Sequence, residues 1–227
     1  MTLHTLPPGQ FELPTFPRFG LPQFAFRIPP ASSEVALSLS GDAAEAAQVA
    51  WQQLQQLPRI EQTSDFHCVT TWSRSNLRWS GFRFSDFYET LLVPAIRPDP
   101  SVQVVVLRGL DGYSTSLPLE DALTPDVLLA DTLNDQPLSL EHGAPLRFVA
   151  PAHYGYKNPK HVCAIEVWRD YRHFRSSALP FMDHPRARVA HEEHGRGVVG
   201  WLLRYLYRPW IGLDIWLFER GFARHRS

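Results

Sequence analysis

The apolar residues of this chain come in short runs, and that limits the folds open to it. Val102 to Leu107 is an unbroken apolar run of strand length, the mark of a strand covered on both faces. Val127 to Ala130, Leu146 to Ala150 and His161 to Trp168 repeat the pattern, and Tyr113 to Leu117 returns after the turn residues Gly109 to Gly112. Glu34 to Ser40 alternates, with Val35, Leu37 and Leu39 on one side, and reads as a strand. The intervening helices are brief: Pro118 to Leu123, and Asp86 to Leu92 with Ser85 as its cap. Asp42 to Leu57, rich in Ala, Gln and Leu and closed by Pro58, is predicted to form a longer helix. Arg59 to Phe66 is predicted to be extended, and residues 69–80, with Arg74, Asn76 and Arg78, to be a loop. Helices this short and irregular do not serve a doubly wound parallel sheet. The expected class is α+β with a mixed sheet.

The two ends differ from the middle. Residues 1–34 carry Pro7, Pro8, Pro14 and Pro17 among phenylalanines. Proline fixes φ and withholds a donor, so the segment is predicted to be an extended arm, laid on the body to cover its rings. Residues 35–170 form the expected domain. Residues 171–227 form a C-terminal extension, first rich in His and Arg, then strongly apolar from Val198 to Phe218. Arg204, Arg208, Pro209 and Asp214 interrupt that apolar stretch, which argues against a membrane span. One or two amphipathic helices are expected there, packed on the domain or on a second subunit. The net charge of −1 gives no field for nucleic acid. The first residues lack the charged and apolar regions of an export signal, so the expected location is the cytoplasm. Two cysteines make no disulfide framework, and fit a reducing compartment or a ligand role.

Cys68 is one of those two, and a polar run surrounds it: Asp65-Phe66-His67-Cys68-Val69-Thr70-Thr71-Trp72-Ser73. A deprotonated thiol is a soft ligand for a soft metal, and needs nearby donors or positive charge. His67, Arg74 and Arg78 are the neighbours that could supply it. Cys163 lies inside an apolar run and is expected in the core. Other chemistries lack their patterns. His191-Glu192-Glu193-His194 is misspaced for a zinc helix, and CxxC, CxxCH, GxSxG and a GxGxxG turn are absent.

A second stretch, Glu141-His142-Gly143-Ala144-Pro145-Leu146-Arg147 followed by Tyr154-Gly155-Tyr156-Lys157-Asn158-Pro159-Lys160, begins roughly 75 residues after Cys68. Between them stands Asp111-Gly112-Tyr113-Ser114-Thr115-Ser116-Leu117. Together these stretches resemble the molybdopterin-binding domain of the sulfite oxidase family, over about residues 35 to 170. The resemblance implies that Cys68 is the protein ligand to molybdenum. It implies cofactor contacts at His142, Arg147, Lys157, Asn158, Pro159 and Lys160, with the pterin in its mononucleotide form. Asp111 matches a cofactor-contacting position of the family and equally reads as a plain turn aspartate. Tyr171, in Asp170-Tyr171-Arg172, resembles the end of the family's substrate tyrosine motif. Thr70-Thr71-Trp72-Ser73 stands where sulfite oxidases carry an arginine pair, and Trp72-Ser73 is closer to the bacterial reductase branch. The implied activity is oxygen-atom transfer to or from sulfite or a sulfoxide, with electrons exchanged through a separate partner. A cofactor carrier without turnover and an α+β interaction module with a docking helix are the alternatives.

Overall fold

A computed structural model describes residues 5–31, 36–178, 180–196 and 200–226. Eleven strands occur in this part of the chain: β1 (Phe11–Glu12), β2 (Ala36–Gly41), β3 (Ala47–Ala50), β4 (Arg59–His67), β5 (Trp72–Arg83), β6 (Val104–Gly109), β7 (Ser114–Pro118), β8 (Leu128–Leu133), β9 (Gln136–Pro137), β10 (Arg147–Val149) and β11 (Val162–Trp168). They form two sheets. One runs β1-β5-β8-β10, with β4 also on β5 and β9 on β8; the other runs β3-β2-β11-β6-β7. β1 with β5 and β2 with β11 are parallel, and the other pairs are antiparallel. The architecture is therefore α+β with mixed sheets, as the short apolar runs require.

Both sheets feed one core. Leu37, Leu39, Val105, Leu107, Ile165 and Val167 come from the second sheet, and Phe82, Leu129 and Phe148 from the first. Phe84, Phe87, Leu92 and Ile96 complete it from a helical segment. That segment starts earlier and runs further than Asp86 to Leu92. It comprises α2 (after the single turn α1, Trp51–Leu54), at Phe84–Phe87, a wide π turn at Tyr88–Leu92, and α3 at Val93–Ile96. Pro94 is tolerated in the first turn of α3, where its missing N–H costs least. A further turn, α4, spans Leu119–Ala122.

Three expectations fail. Asp42 to Leu57 is not one helix: Ala47–Ala50 pairs with Ala36 to Leu39 as β3, and only Trp51–Leu54 is helical. Burying Val49 in the core outweighs the modest helical preference of alanine and glutamine. Residues 69–80 are not a loop: after a tight turn the chain enters the twelve-residue strand β5. Ser73, Ser75, Leu77 and Trp79 are buried while Asn76 and Arg78 are exposed, an alternation that the polar composition concealed. Cys163 is half-buried on β11, with its Sγ 3.5 Å from the Arg108 carbonyl, and is not in the core.

The arm residues lie against the body. Phe11 N–H donates to the Thr71 carbonyl (3.0 Å), and Phe16 meets Phe66, Trp72 and Trp79 edge-on. At the other end stand α5 (Gly200–Tyr207), a short turn, and α6 (Ile211–Arg226). Tyr207, Ile211, Asp214, Phe218 and Phe222 are buried, so one face of these helices packs on the domain. The two ends meet where Arg18 donates to the Ala25 carbonyl (2.6 Å) and the Phe218 carbonyl (3.4 Å). Among the described residues no helix is long and apolar enough to cross a membrane. Val35 of the expected first strand, and Val198 and Val199 of the expected C-terminal helix, lie outside the described residues.

Candidate functional site

Strands β4 and β5 are joined by a turn that begins at Cys68. Cys68 N–H donates to the Trp72 carbonyl (2.8 Å), and Thr71 N–H to the Cys68 carbonyl (3.0 Å). Closing the turn puts Thr71 at φ 83, a left-handed conformation that a β-branched residue rarely takes. Thr71 is fully buried and is held by the bond from Phe11 and by Arg208 Nε, 3.4 Å from its hydroxyl. Cys68 Sγ lies 3.1 Å from the Thr70 hydroxyl and is 7 % exposed. Burial pushes the thiol up to about 11; the Thr70 hydrogen bonds oppose this, and Asp214 adds to it.

The thiol opens on a cavity of about 520 Å³. Four segments wall it: the arm from Arg18 to Phe24, the Cys68 turn, the loop from Gly155 to His161, and the buried face of α5 and α6. Close approach makes the walls tight. A Cβ on Gly155 would collide with the Phe66 ring, and Gly143, at φ 112, leaves 3.0 Å between its would-be Cβ and that of Lys160.

Six of the residues singled out from the sequence line this cavity: Cys68, Asp111, Arg147, Asn158, Pro159 and Lys160. Arg147 is 2 % exposed, donates from Nη1 to the His142 carbonyl (3.0 Å) and sits 5.3 to 5.4 Å from the rings of Phe16, Phe66 and Trp79. Burial pulls its guanidinium down to about 9. Burial also drives Lys160 well below the usual ammonium range, and the charges of Arg147 and Arg18 push it the same way. Asp111 caps its own turn, accepting from Tyr113 N–H (2.9 Å), and burial raises its carboxyl. The Asn158 side chain is committed to its loop, with Oδ1 taking Ala150 N–H at 2.6 Å. What Asn158 and Pro159 offer the cavity is backbone.

Four others do not line it. His67 bonds Ser73 Oγ (2.7 Å). His142 stacks on Phe16 and bonds Ser139 Oγ and the Phe16 carbonyl, both at 2.9 Å, so it anchors the arm. Lys157 is fully buried against Asp183 (3.1 Å) and the Ser116 carbonyl (2.8 Å), a structural ion pair. Tyr171 stands on a short turn at Tyr171–His173, away from the cavity wall. Nor do the other cations near Cys68 in sequence reach it: Arg74 pairs with Glu12 and Arg78 with Asp135, because β5 turns both outward.

Residues that the sequence did not mark as site residues also line the cavity, among them Arg18, Trp72, His161, Tyr207 and Asp214. Arg18 is the only charged residue between Glu12 and Arg27, and Asp214 the only acid in its apolar run; those isolated charges were the available signal. Among buried polar atoms left without a partner are Trp72 Nε1, Arg147 Nε and Tyr207 Oη. Buried donors without partners are costly. The cavity these residues line also holds the buried cations Arg147 and Lys160, which suit an anionic guest.

The family description "Oxidoreductase molybdopterin binding domain" matches residues 25–174. The chain belongs to this molybdopterin-binding oxidoreductase family. It is 36 % identical over 122 residues to the uncharacterized oxidoreductase YuiH of Bacillus subtilis, covering 54 % of this chain and 59 % of that one. It is 27 % identical over 183 residues to the protein-methionine-sulfoxide reductase catalytic subunit MsrP of Campylobacter jejuni, covering 69 % and 60 %. Against mitochondrial sulfite oxidase of Drosophila melanogaster the identity is 38 % over 100 residues, covering 40 % and 17 %. The chain thus spans 60 % or less of each of these relatives. The sulfane dehydrogenase SoxCD of Paracoccus pantotrophus shares the fold, with a TM-score of 0.56 and 22 % identity over 70 % of this chain and 45 % of that one.

The molybdopterin cofactor of this family fits the residues present. A pterin phosphate would be held by the guanidinium of Arg147 and the ammonium of Lys160, and its charge would relieve the desolvation that depresses both. A soft metal would meet the Cys68 thiol, which it would deprotonate on binding. Arg18 reaches the cavity from the N-terminal arm and Arg147 from the domain, so the anion-binding side depends on both.

Proposed function

We propose that this chain is a molybdenum-dependent oxidoreductase that moves an oxygen atom to or from a small sulfur compound of the sulfite or sulfoxide class. The observation that carries the proposal is one cavity lined by both a buried thiol, Cys68, and the buried cations Arg147 and Lys160. When bound, the molybdenum–molybdopterin group, taken as the mononucleotide, supplies the two-electron change. The protein's part is positional. Cys68 holds the metal. Arg147 and Lys160 hold the phosphate, with Asp111 balancing their charge. The backbone of Asn158 and Pro159 lies along the pterin. Tyr207, a tyrosine of the cavity wall, takes the role that the resemblance gave to Tyr171: donating to the oxygen of the substrate. The walls are largely apolar, so these few donors act in a lowered dielectric.

No haem-attachment motif occurs in the sequence, and electrons are exchanged with a separate partner. Two free thiols suit the reducing cytoplasm as the place of action.

The test is molybdenum and pterin analysis on the full chain made in a host that synthesises the cofactor. The expected result is about one metal per chain, lost in Cys68→Ser. Oxygen-atom transfer is then assayed with sulfite and an electron acceptor, and with a sulfoxide and a reduced dye. Metal absent from the wild type overturns the proposal. Metal present with no turnover of either substrate leaves a cofactor carrier instead.

A further inference from the structure

The C-terminal helices carry two apolar faces, and only one is covered. Tyr207, Ile211, Asp214, Phe218 and Phe222 recur at helical spacing and are buried on the domain. Leu202, Leu206, Trp210, Leu213 and Trp216 recur at the same spacing on the other side, with Tyr205 beside them. These six are 49 to 72 % exposed. The apolar stretch was expected to pack; its second stripe does not pack on this chain. At about 100 Å² for each half-exposed ring or leucine, the stripe presents on the order of 600 Å², the upper end of what a monomer leaves bare.

The charges around the stripe indicate its partner. Among the described side chains of these helices, Arg208, Arg220 and Arg224 are exposed against a single exposed acid, Glu219, because Asp214 is buried. The surface is locally cationic on a chain of net charge −1. The guanidinium of Arg220 lies over the Trp216 ring at 5.1 Å and that of Arg224 over Phe26 at 5.5 Å, so both charges stand on aromatic rings of the patch itself. Phe26 is itself half-exposed and extends the patch onto the arm. Leucines flanked by two tryptophans, a tyrosine and arginines are the composition of a helix lying in a bilayer interface.

We propose that α5 and α6 dock this protein, through the stripe from Leu202 to Trp216 and the arginines beside it, on an anionic lipid surface. Leu206, Trp210 and Phe181 are exposed and also line the cavity, so they form its rim. Docking sets that rim against the membrane, where a substrate or electron carrier dissolved in lipid would enter. Arginine heads meet lipid phosphates while the stripe enters the headgroup layer, and no covalent step is involved.

The experiment is flotation of the full chain with vesicles of phosphatidylcholine alone, or with one third phosphatidylglycerol, together with the shift of tryptophan emission on binding. Binding should be at least tenfold tighter to the anionic vesicles and weaken at high salt. Leu213→Ser with Trp216→Ser should lose at least tenfold on the anionic vesicles. Arg220→Glu with Arg224→Glu should remove the preference for them. These side chains are outside the core, and thermal melting confirms that each variant is folded. No binding to either vesicle overturns the proposal, as does equal binding to both. Self-association of the wild type that the serine pair abolishes, without vesicle binding, assigns the stripe to a second copy and also overturns it.

Discussion

Arg147→Met should change sign between the empty and the loaded protein. The guanidinium is held at about 9 by burial, against roughly 12.5 for a free one. That difference corresponds to roughly 5 kcal/mol of desolvation at about 1.4 kcal/mol per pH unit. The empty protein recovers most of it locally. Three ring contacts contribute about 1 kcal/mol each, and the bond to the His142 carbonyl contributes about 1.5 to 3 kcal/mol. A methionine side chain in place of the arginine would fill similar space with no charge to desolvate. The cofactor-free variant should therefore unfold within about 1 kcal/mol of the wild type. The loaded protein loses its charge-assisted bond to the phosphate, about 2 to 4 kcal/mol, so cofactor should dissociate from the variant roughly 30 to 1,000 times more readily. Calorimetry of the empty proteins and pterin fluorescence released on dilution measure the two halves. The pH dependence of stability has a definite sign as well. Between about 9 and 12 the unfolded chain binds a proton that the folded Arg147 has lost, so this group's contribution to stability rises with pH and Arg147→Met removes the rise. A loss of more than about 3 kcal/mol in the empty variant, with cofactor retention unchanged, would show that Arg147 is a structural residue and refute its assignment to the phosphate.

Lys157 and Lys160 should separate cleanly. Lys157→Met strands Asp183 without its buried partner and should cost about 3 kcal/mol in calorimetry, whereas Lys160→Met should leave the empty protein no less stable and weaken cofactor retention about tenfold or more. The Cys68 thiol, raised to about 11, should alkylate slowly at pH 8 in metal-free protein and accelerate above about pH 10. Between the free-thiol value near 8.5 and about 11 the folded state keeps a proton that the unfolded state has lost, so this group's stabilisation falls as pH rises and disappears in Cys68→Ser. Asp214, raised to about 6 by burial, likewise keeps its proton above the free-carboxyl value near 4. Stability should fall across that interval, and Asp214→Asn should abolish the slope and stabilise the protein at pH 7 by roughly 1 to 2 kcal/mol in denaturant titration.

Much of this protein could be read from its residues, because some features depend on local chemistry alone. The apolar runs at Val102 to Leu107 and His161 to Trp168 are of strand length, and both became strands, the first covered on both sides and the second on one, so the α+β class followed from sequence. Cys68, Arg147 and Lys160 were singled out through the resemblance of their motifs to the sulfite oxidase family, and the fold brings all three to one cavity. What stayed hidden depends on contacts between distant segments. The helix expected from Asp42 to Leu57 became a strand because Val49 found a place in a core built from both sheets. Beyond Cys68, a polar strand looked like a loop until β1, β4 and β8 paired with it on its two sides. His142 and Lys157 are of the right residue type at the right sequence distance, but their neighbours in space hold them away from the cavity. Arg18 and Tyr207 are brought to that cavity from the two ends of the chain, which meet at Phe218. Local composition sets which conformations and donors a segment can offer. Which of those donors converge is decided by the folding of the chain back on itself, and no local pattern encodes that.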